Sequence, residues 1–292
     1  MRVGTRGSLL ALVQARWVAD RLGPGVEIVE ITTLGDRGAA IGDKSRWVSA
    51  LEEALLDDRI DVAVHSAKDV PTELPEGFAL VAIPERAEAR DVICGAGALA
   101  ELAPGARVGT SSLRRVAQLR ALRSDLDVRE VRGNVDTRLR KLAAGEVDAL
   151  ILAAAGLERL GRGDEAGGVL EEFVPAAGQG ALALEAISGA TAADRLAAVS
   201  DPEATACVTA ERVLVNALGA SCNTPVGAHA RWLGDGRLTL TAWVGLPDGS
   251  AWLRDEVTAA AAEAGMACAE RMLAAGAAEM LRQAEAEAEV TA

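Results

Sequence analysis

A chain of 292 residues is longer than one hydrophobic core usually supports, so two or three domains are expected. Half of the residues are hydrophobic, yet aromatics are scarce and tyrosine is absent, so the cores must be aliphatic and rich in alanine. A net charge of −13, from 43 acidic and 30 basic side chains, argues against a general binder of nucleic acid or of anionic membrane.

Taken in chain order, Ser8 is placed to cap a helix in which Leu9, Val13 and Trp17 recur four apart. Val26 to Ile31 reads as a strand, Trp47 to Leu56 as a helix, Asp61 to Val64 as a buried strand and Ala79 to Ile83 as another. A strand at Asp91 to Cys94 follows, then a short one ending at Ala106 to Val108, then a helix entered through GTSSLRR (residues 109–115). A strand at Val128 to Val131, a helix at Val135 to Ala144 and a strand at Ala149 to Leu152 continue the alternation. Such alternation predicts an α/β fold with parallel or mixed sheets, whose ligands bind beyond the C-terminal ends of the strands. The last third differs. Asp201 and Pro202 open a helix that runs to Leu218 and stops at Gly219. Three antiparallel strands are expected at Val226 to Leu233, Arg237 to Leu246 and Ala251 to Val257, with turns at Gly234 to Gly236 and Pro247 to Ser250. One long alanine-rich helix, frayed from Glu285, is expected to close this small α+β domain.

The cysteines Cys94, Cys207, Cys222 and Cys268 are far apart, with no Cys-x-x-Cys pair, and only two histidines are present, so neither a metal centre nor a disulfide scaffold is expected. Residues 1–6 lack an apolar signal region and no run is long enough to span a bilayer, which predicts a soluble cytoplasmic protein. Cys94, Cys207 and Cys268 fall on regular elements and read as small core residues. Cys222 lies in the turn GASCNTPVG (219–227), as an inert thiol or, if nearby cations hold its thiolate, as a nucleophile or attachment point.

Charge is uneven along the chain. Between Arg107 and Lys141 ten Lys/Arg face four Asp/Glu, with no aromatic side chain on which a base could stack. GTRGS (4–8), GTSSLRR and RGNVDTR (132–138) each set small residues, hydroxyls and arginine beside a helix start, where N–H groups and guanidinium forks suit carboxylate or phosphate oxygens. Singly, each is ordinary capping; three in one chain point to an anion cleft. Arg114 and Arg115 sit in a first helical turn, where cations add to the positive helix end, and a bound polyanion is the expected offset. In VHSAKDVP (64–71), Lys68 and Asp69 follow a buried strand and Pro71 rigidifies the exit. A surface ion pair is the plain reading, but the strand's C-terminal end favours the cleft, where a carboxylate can accept a proton or stabilise a developing cation.

The segments VHSAKDVP, GTSSLRRVAQL, VRGNVDTRL, LAAAGLERLG and PAAGQGALALE, in that order and followed by Cys222, resemble the porphobilinogen deaminase (hydroxymethylbilane synthase) family along nearly the whole chain. The resemblance implies two periplasmic-binding-protein-like α/β domains around a cleft, formed by residues 1–84 with 181–197 and by 85–180, and a small C-terminal α+β domain, 198–292. It implies a transferase of haem and porphyrin biosynthesis that joins four porphobilinogen molecules head to tail with loss of ammonia, water then releasing linear hydroxymethylbilane. Growth is primed on a dipyrromethane cofactor held by a thioether to the cysteine matching Cys222, without a metal. Asp69 matches the catalytic aspartate. Lys68, Asp69, Ser112, Arg114, Arg115 and Arg138 match cofactor-binding positions, and Arg6, Ser8, Thr110, Ser111, Arg132, Arg138, Arg159 and Gln179 match substrate-binding ones. Lys44 and Trp47 remain from a lid that is shorter here, DRGAAIGDK (36–44), with one lysine missing and Arg46 new. The resemblance implies a monomer that acts on a small molecule, with no nucleic acid or membrane as partner. The alternative is a non-catalytic anion-binding or sensor protein on the same two-domain architecture, which needs the arginines but neither Asp69 nor an exposed Cys222.

Overall fold

The computed structural model describes residues 1–32, 45–189, 193–220 and 224–291. Along the chain run β1 (Arg2–Arg6), α1 (Leu9–Leu22), β2 (Glu27–Ile31), α2 (Ser45–Leu56), β3 (Val62–Ser66), β4 (Phe78–Ala82), β5 (Asp91–Cys94), β6 (Arg107–Gly109), α3 (Leu113–Leu122), β7 (Asp127–Arg129), α4 (Val135–Ala143), β8 (Ala149–Ala153), α5 (Ala154–Arg159), β9 (Gly168–Val169) and β10 (Leu182–Ile187). The short α6 (Ala193–Ala197) leads to α7 (Pro202–Ala217), β11 (Val226–Gly234), β12 (Arg237–Gly245), β13 (Trp252–Ala260), α8 (Ala261–Ala274) and α9 (Ala277–Thr291).

Two five-stranded mixed sheets share one plan. The first has the order β2-β1-β3-β10-β4, with β1 parallel to β2 and β3, and β10 antiparallel to β3 and β4. The second has the order β7-β6-β8-β5-β9, with β6 parallel to β7 and β8, and β5 antiparallel to β8 and β9. In each sheet the fourth strand arrives from the other sheet: β5 follows β4, and β10 follows β9. The chain therefore crosses twice, between Ala82 and Asp91 and between Val169 and Leu182.

Apolar patterning explains the layers. Ser8 caps α1, its hydroxyl accepting from Ala11 N at 3.3 Å, and the helix lays Ala15, Val18 and Leu22 against Val3, Val62, Leu182 and Leu184. In β8, Ala149 and Ile151 face one cluster with Ile93, Val108 and Leu119, while Leu150 and Leu152 face another with Leu139 and Leu157. A strand buried on both faces reads as a continuous apolar run, as this one does. Asp201 caps α7 through Ala204 N at 2.8 Å, with Pro202 in the first turn. The antiparallel sheet β11-β12-β13 packs on α7 and α8 through Leu214, Leu238, Leu240, Cys268 and Met272.

The α/β class and the small C-terminal α+β unit are as expected from sequence, and Cys94, Cys207 and Cys268 are buried, with burial pushing each thiol up to about 11. Two differences stand out. β7 ends at Arg129 rather than reaching Val131. The closing helix is two helices, broken at Gly276 with φ 100°, a left-handed conformation that glycine adopts without steric cost. No helix among the described residues is long and apolar enough to cross a membrane.

Candidate active site

Arg6 closes β1, Lys68 and Asp69 lie on a single 3-10 turn (Ala67–Asp69) directly after β3, GTSS leads from β6 into α3, and α5 follows β8. All four positions are C-terminal ends of parallel strands, so the expected placement of a ligand site brings these residues to one edge of each sheet.

At the centre is Asp91, the first residue of β5 and fully buried. Arg114 donates to it from Nη1 at 2.7 Å and Nη2 at 3.2 Å, Arg115 from Nε at 3.0 Å, and Gln179 from Nε2 at 2.9 Å. The same arginines reach backbone oxygens: Arg114 Nη1 to Val174 O at 2.8 Å and Arg115 Nη1 to Ile151 O at 3.0 Å. Burial alone would raise the Asp91 carboxyl, but the two guanidinium charges outweigh it and hold the group well below the usual carboxylate range. The anion expected to offset Arg114 and Arg115 is therefore built into the protein, a correction to the sequence reading. It is only half an offset: one negative charge meets two positive ones, and Arg114 Nε is buried with no hydrogen-bond partner among the described residues.

Gln179 extends this network toward Asp69. Its Nε2 also donates to Ala89 O at 2.7 Å, and its Oε1 accepts from Lys68 Nζ at 3.2 Å and Arg115 Nη2 at 3.5 Å. One buried amide thus ties the lysine beside Asp69, on the first sheet, to the arginine cluster on the second.

Around it lie the other expected residues. Ser112 is the N-cap of α3 by backbone conformation, but its side chain makes no capping bond; the buried Thr110 hydroxyl accepts from Ser112 N at 3.3 Å instead. Ser111 Oγ accepts from Arg138 Nη2 at 3.0 Å, and Arg138 Nε donates to Gly133 O at 2.8 Å. Arg159 Nη2 donates to Gly180 O at 2.7 Å. Arg138 and Arg159 are half-buried, and neither has an ion pair among the described residues. Burial pulls each guanidinium down to about 10, helped at Arg138 by the neighbouring Arg115 and opposed at Arg159 by Glu158. Arg132 stands apart: exposed, it pairs with Glu130 at 2.6 Å on the surface. Cys222 and Lys44 lie outside the described residues, as does the side chain of Trp47, whose backbone belongs to α2.

Sequence reading missed Asp91, which showed only as an acid opening the apolar strand DVIC. It also missed Arg86, Glu211 and Arg212, whose partners come from distant parts of the chain. Glu211 is fully buried; its Oε1 accepts from Arg86 Nη1 and from Ala230 N, both at 2.7 Å, and its Oε2 from Gly178 N at 2.7 Å.

Half-buried cations without carboxylate partners among the described residues, together with an unmatched Arg114 N–H, suit a ligand carrying several carboxylates, and the residues present fit a dipyrromethane with its acidic side chains. The comparisons agree. The model of the "Porphobilinogen deaminase, dipyromethane cofactor binding domain" matches residues 1–195, and that of the "Porphobilinogen deaminase, C-terminal domain" matches residues 205–274. The porphobilinogen deaminase of Deinococcus deserti is 50% identical over 276 residues, covering 86% of this chain and 87% of its own length. That of Thiobacillus denitrificans is 48% identical over 295 residues, with 95% and 96% covered, and that of Thermus thermophilus 47% over 294 residues, with 96% and 98% covered. Among solved structures, the methionine-binding protein MetQ superposes with a TM-score of 0.43 and 16% identity over 70% of this chain and 91% of that one. On the family models and these relatives, the chain belongs to the porphobilinogen deaminase family.

Proposed function

We propose that this chain joins four porphobilinogen molecules head to tail into linear hydroxymethylbilane, releasing ammonia at each step, on a dipyrromethane attached through a thioether to Cys222. The observation that carries the reading is the pair of half-buried guanidinium groups on α4 and α5, Arg138 and Arg159, that lack carboxylate partners among the described residues. Each pyrrole of the substrate brings an acetate and a propionate, so a lengthening chain is a growing polyanion, and these cations with Arg6, Lys68, Ser111 and Thr110 are its receptors. When bound, the dipyrromethane would supply the free pyrrole carbon to which the first unit is joined, each later unit joining the terminal ring of the growing chain. Asp69 stabilises the positive charge that develops on porphobilinogen as ammonia leaves, then holds the proton lost on coupling. Gln179 fixes Lys68 relative to Arg115, so the carboxylate receptors on the two sheets keep a set spacing.

The domains that serve this chemistry are residues 1–84 with 181–197, residues 85–180, and residues 198–292, the last bearing Cys222. The protein works as a cytoplasmic monomer on a small-molecule substrate. Intact mass tests the reading: the wild-type protein should exceed its sequence mass by two linked pyrrole units, and Cys222→Ala should not. Acidic p-dimethylaminobenzaldehyde should colour only the wild type. Agreement of both proteins with their sequence masses, without ammonia release from porphobilinogen, would leave an anion-binding sensor instead.

A further inference from the structure

We propose that Arg212, on α7 of the C-terminal unit, is a positioning residue for Asp69, a role that rests on the assignment of Asp69 to the chemistry. Asp69 sits in a short segment that is held at both ends. On the upstream side, Ala67 N donates to Ala181 O at 3.0 Å, and Gly178 packs so closely that a Cβ there would lie 2.9 Å from Ala67 Cβ and 3.0 Å from Lys68 N. On the downstream side, Arg212 donates to three successive carbonyl oxygens: Nη1 to Val70 O at 3.1 Å, and Nη2 to Pro71 O at 2.6 Å and Thr72 O at 3.0 Å. One helical turn further along α7, Asn216 Oδ1 accepts from Thr72 Oγ1 at 3.2 Å.

The choice of residue is informative. Arg212 is half-buried, its charge disfavoured by burial and eased by Glu185, and it has no ion pair among the described residues. A half-buried cation whose hydrogen bonds among the described residues all go to carbonyls is a costly way to fill space; an apolar side chain would pack more cheaply. What a guanidinium adds is a rigid planar fork of donors, able to fix several carbonyl oxygens in one geometry where a lysine offers a single point. The residue before it completes the clamp, since Glu211 accepts from Gly178 N at 2.7 Å and so holds the upstream wall. Two adjacent residues of α7 therefore grip the two sides of the Asp69 turn. The position of Asp69 is thereby referred to one rigid helix, which matters because misplacing a reacting group by about 1 Å can cost about 10²-fold in rate.

The test is a double-mutant cycle on mass-verified holoenzyme, with Arg212→Met and Arg212→Lys made alone and in an Asp69→Asn background. Arg212→Met should keep its cofactor and lose about 10- to 100-fold in kcat, with KM within about twofold of wild type. Arg212→Lys should recover part of the loss. In the Asp69→Asn background Arg212→Met should cost nothing further, because residues that act as a unit are not additive. Multiplying losses, or a raised KM with kcat intact, would overturn the inference while leaving Asp69 in place. Near-normal turnover of Asp69→Asn alone would remove Asp69 from the chemistry and this inference with it. If Arg212→Met does not fold, Asn216→Ala decides: it should show a smaller kcat loss, about two- to fivefold, that vanishes in the Asp69→Asn background, and an unchanged kcat would overturn the inference.

Discussion

Asp91 places one buried negative charge between two guanidinium groups, and its removal leaves both of them uncompensated. Asp91→Ala should cost about 3–5 kcal/mol, the usual penalty for breaking a buried ion pair from one side, and thermal or urea unfolding would measure it. By the same reasoning Arg114→Leu should destabilise even the cofactor-free protein, since the Asp91 carboxylate and Val174 O lose a donor; an apoprotein as stable as wild type would contradict the role given to Asp91. The pH dependence has a definite sign. The carboxyl is depressed in the folded state, so its contribution is complete above the ordinary carboxylate value of about 4 and is lost only as pH falls through the depressed range. Melting temperature should therefore fall on acidification below about pH 4, with a shallower acid limb in Asp91→Asn. Asp69→Asn, by contrast, should keep the fold and the cofactor and lose about 10²–10⁴-fold in turnover, read by steady-state kinetics. Legibility at this scale followed locality. Arg6, Lys68, Asp69, Ser111 and Arg138 announced themselves by residue type beside helix starts and strand ends. Asp91 did not, because its meaning comes from partners 23 and 24 residues away.

Elements were legible where the local pattern and the tertiary environment agreed, as for the capped α1, α4 and α7 and the apolar β8. The interior strand β10 was not read from its sequence, LALEAI, because Leu, Ala and Glu favour helix in isolation. Pairing with β3 and β4 on either side overrides that preference. The closing helix was read as unbroken because its composition favours helix on both sides of Gly276. A comparison of two glycines separates conformational strain from a role at the site. Gly276 has φ 100° and open space around its Cα, so Gly276→Ala should cost about 1–2 kcal/mol and leave turnover unchanged. Gly178 has φ 71° and lies against Ala67 and Lys68, so Gly178→Ala pays the same backbone cost and also pushes the Asp69 turn. It should be the less stable of the two and lose turnover well before it unfolds. Equal stabilities and equal kcat values, measured side by side, would show that the second crossing does not set the position of that turn.

At the scale of the molecule, length announced several domains, but nothing local announced that two crossings would meet at one carboxylate. Glu211 takes two bonds from Arg86, at 2.7 and 3.1 Å, on the first crossing, and one from Gly178 N on the second, while Ala230 N joins β11 to the same group. Arg86 Nε also donates to Gln179 O at 2.9 Å, which connects the node to the amide that spans Lys68 and Arg115. The C-terminal unit touches α3 and the second crossing as well, where Trp243 packs with Ala117 and Val174 and Arg120 Nη1 donates to Pro247 O at 2.9 Å. Any change in the angle between the two sheets must pivot at the crossings, and a buried node on both of them restrains that pivot from outside the two sheets. Glu211→Gln keeps the shape but removes the charge, leaving the Arg86 guanidinium without its counterion and one of two carboxylate oxygens replaced by a donor that faces other donors. The expected cost is about 3–5 kcal/mol. The manner of the loss is the more telling result. With the node intact, the three units should unfold in a single calorimetric transition. In Glu211→Gln the C-terminal unit should melt separately and earlier, because its strongest polar tie to both crossings is gone while its own apolar core is untouched. A single transition at an unchanged midpoint would show that the apolar contacts around Trp243 and the Arg212 bonds suffice to couple the units, and that the node is dispensable.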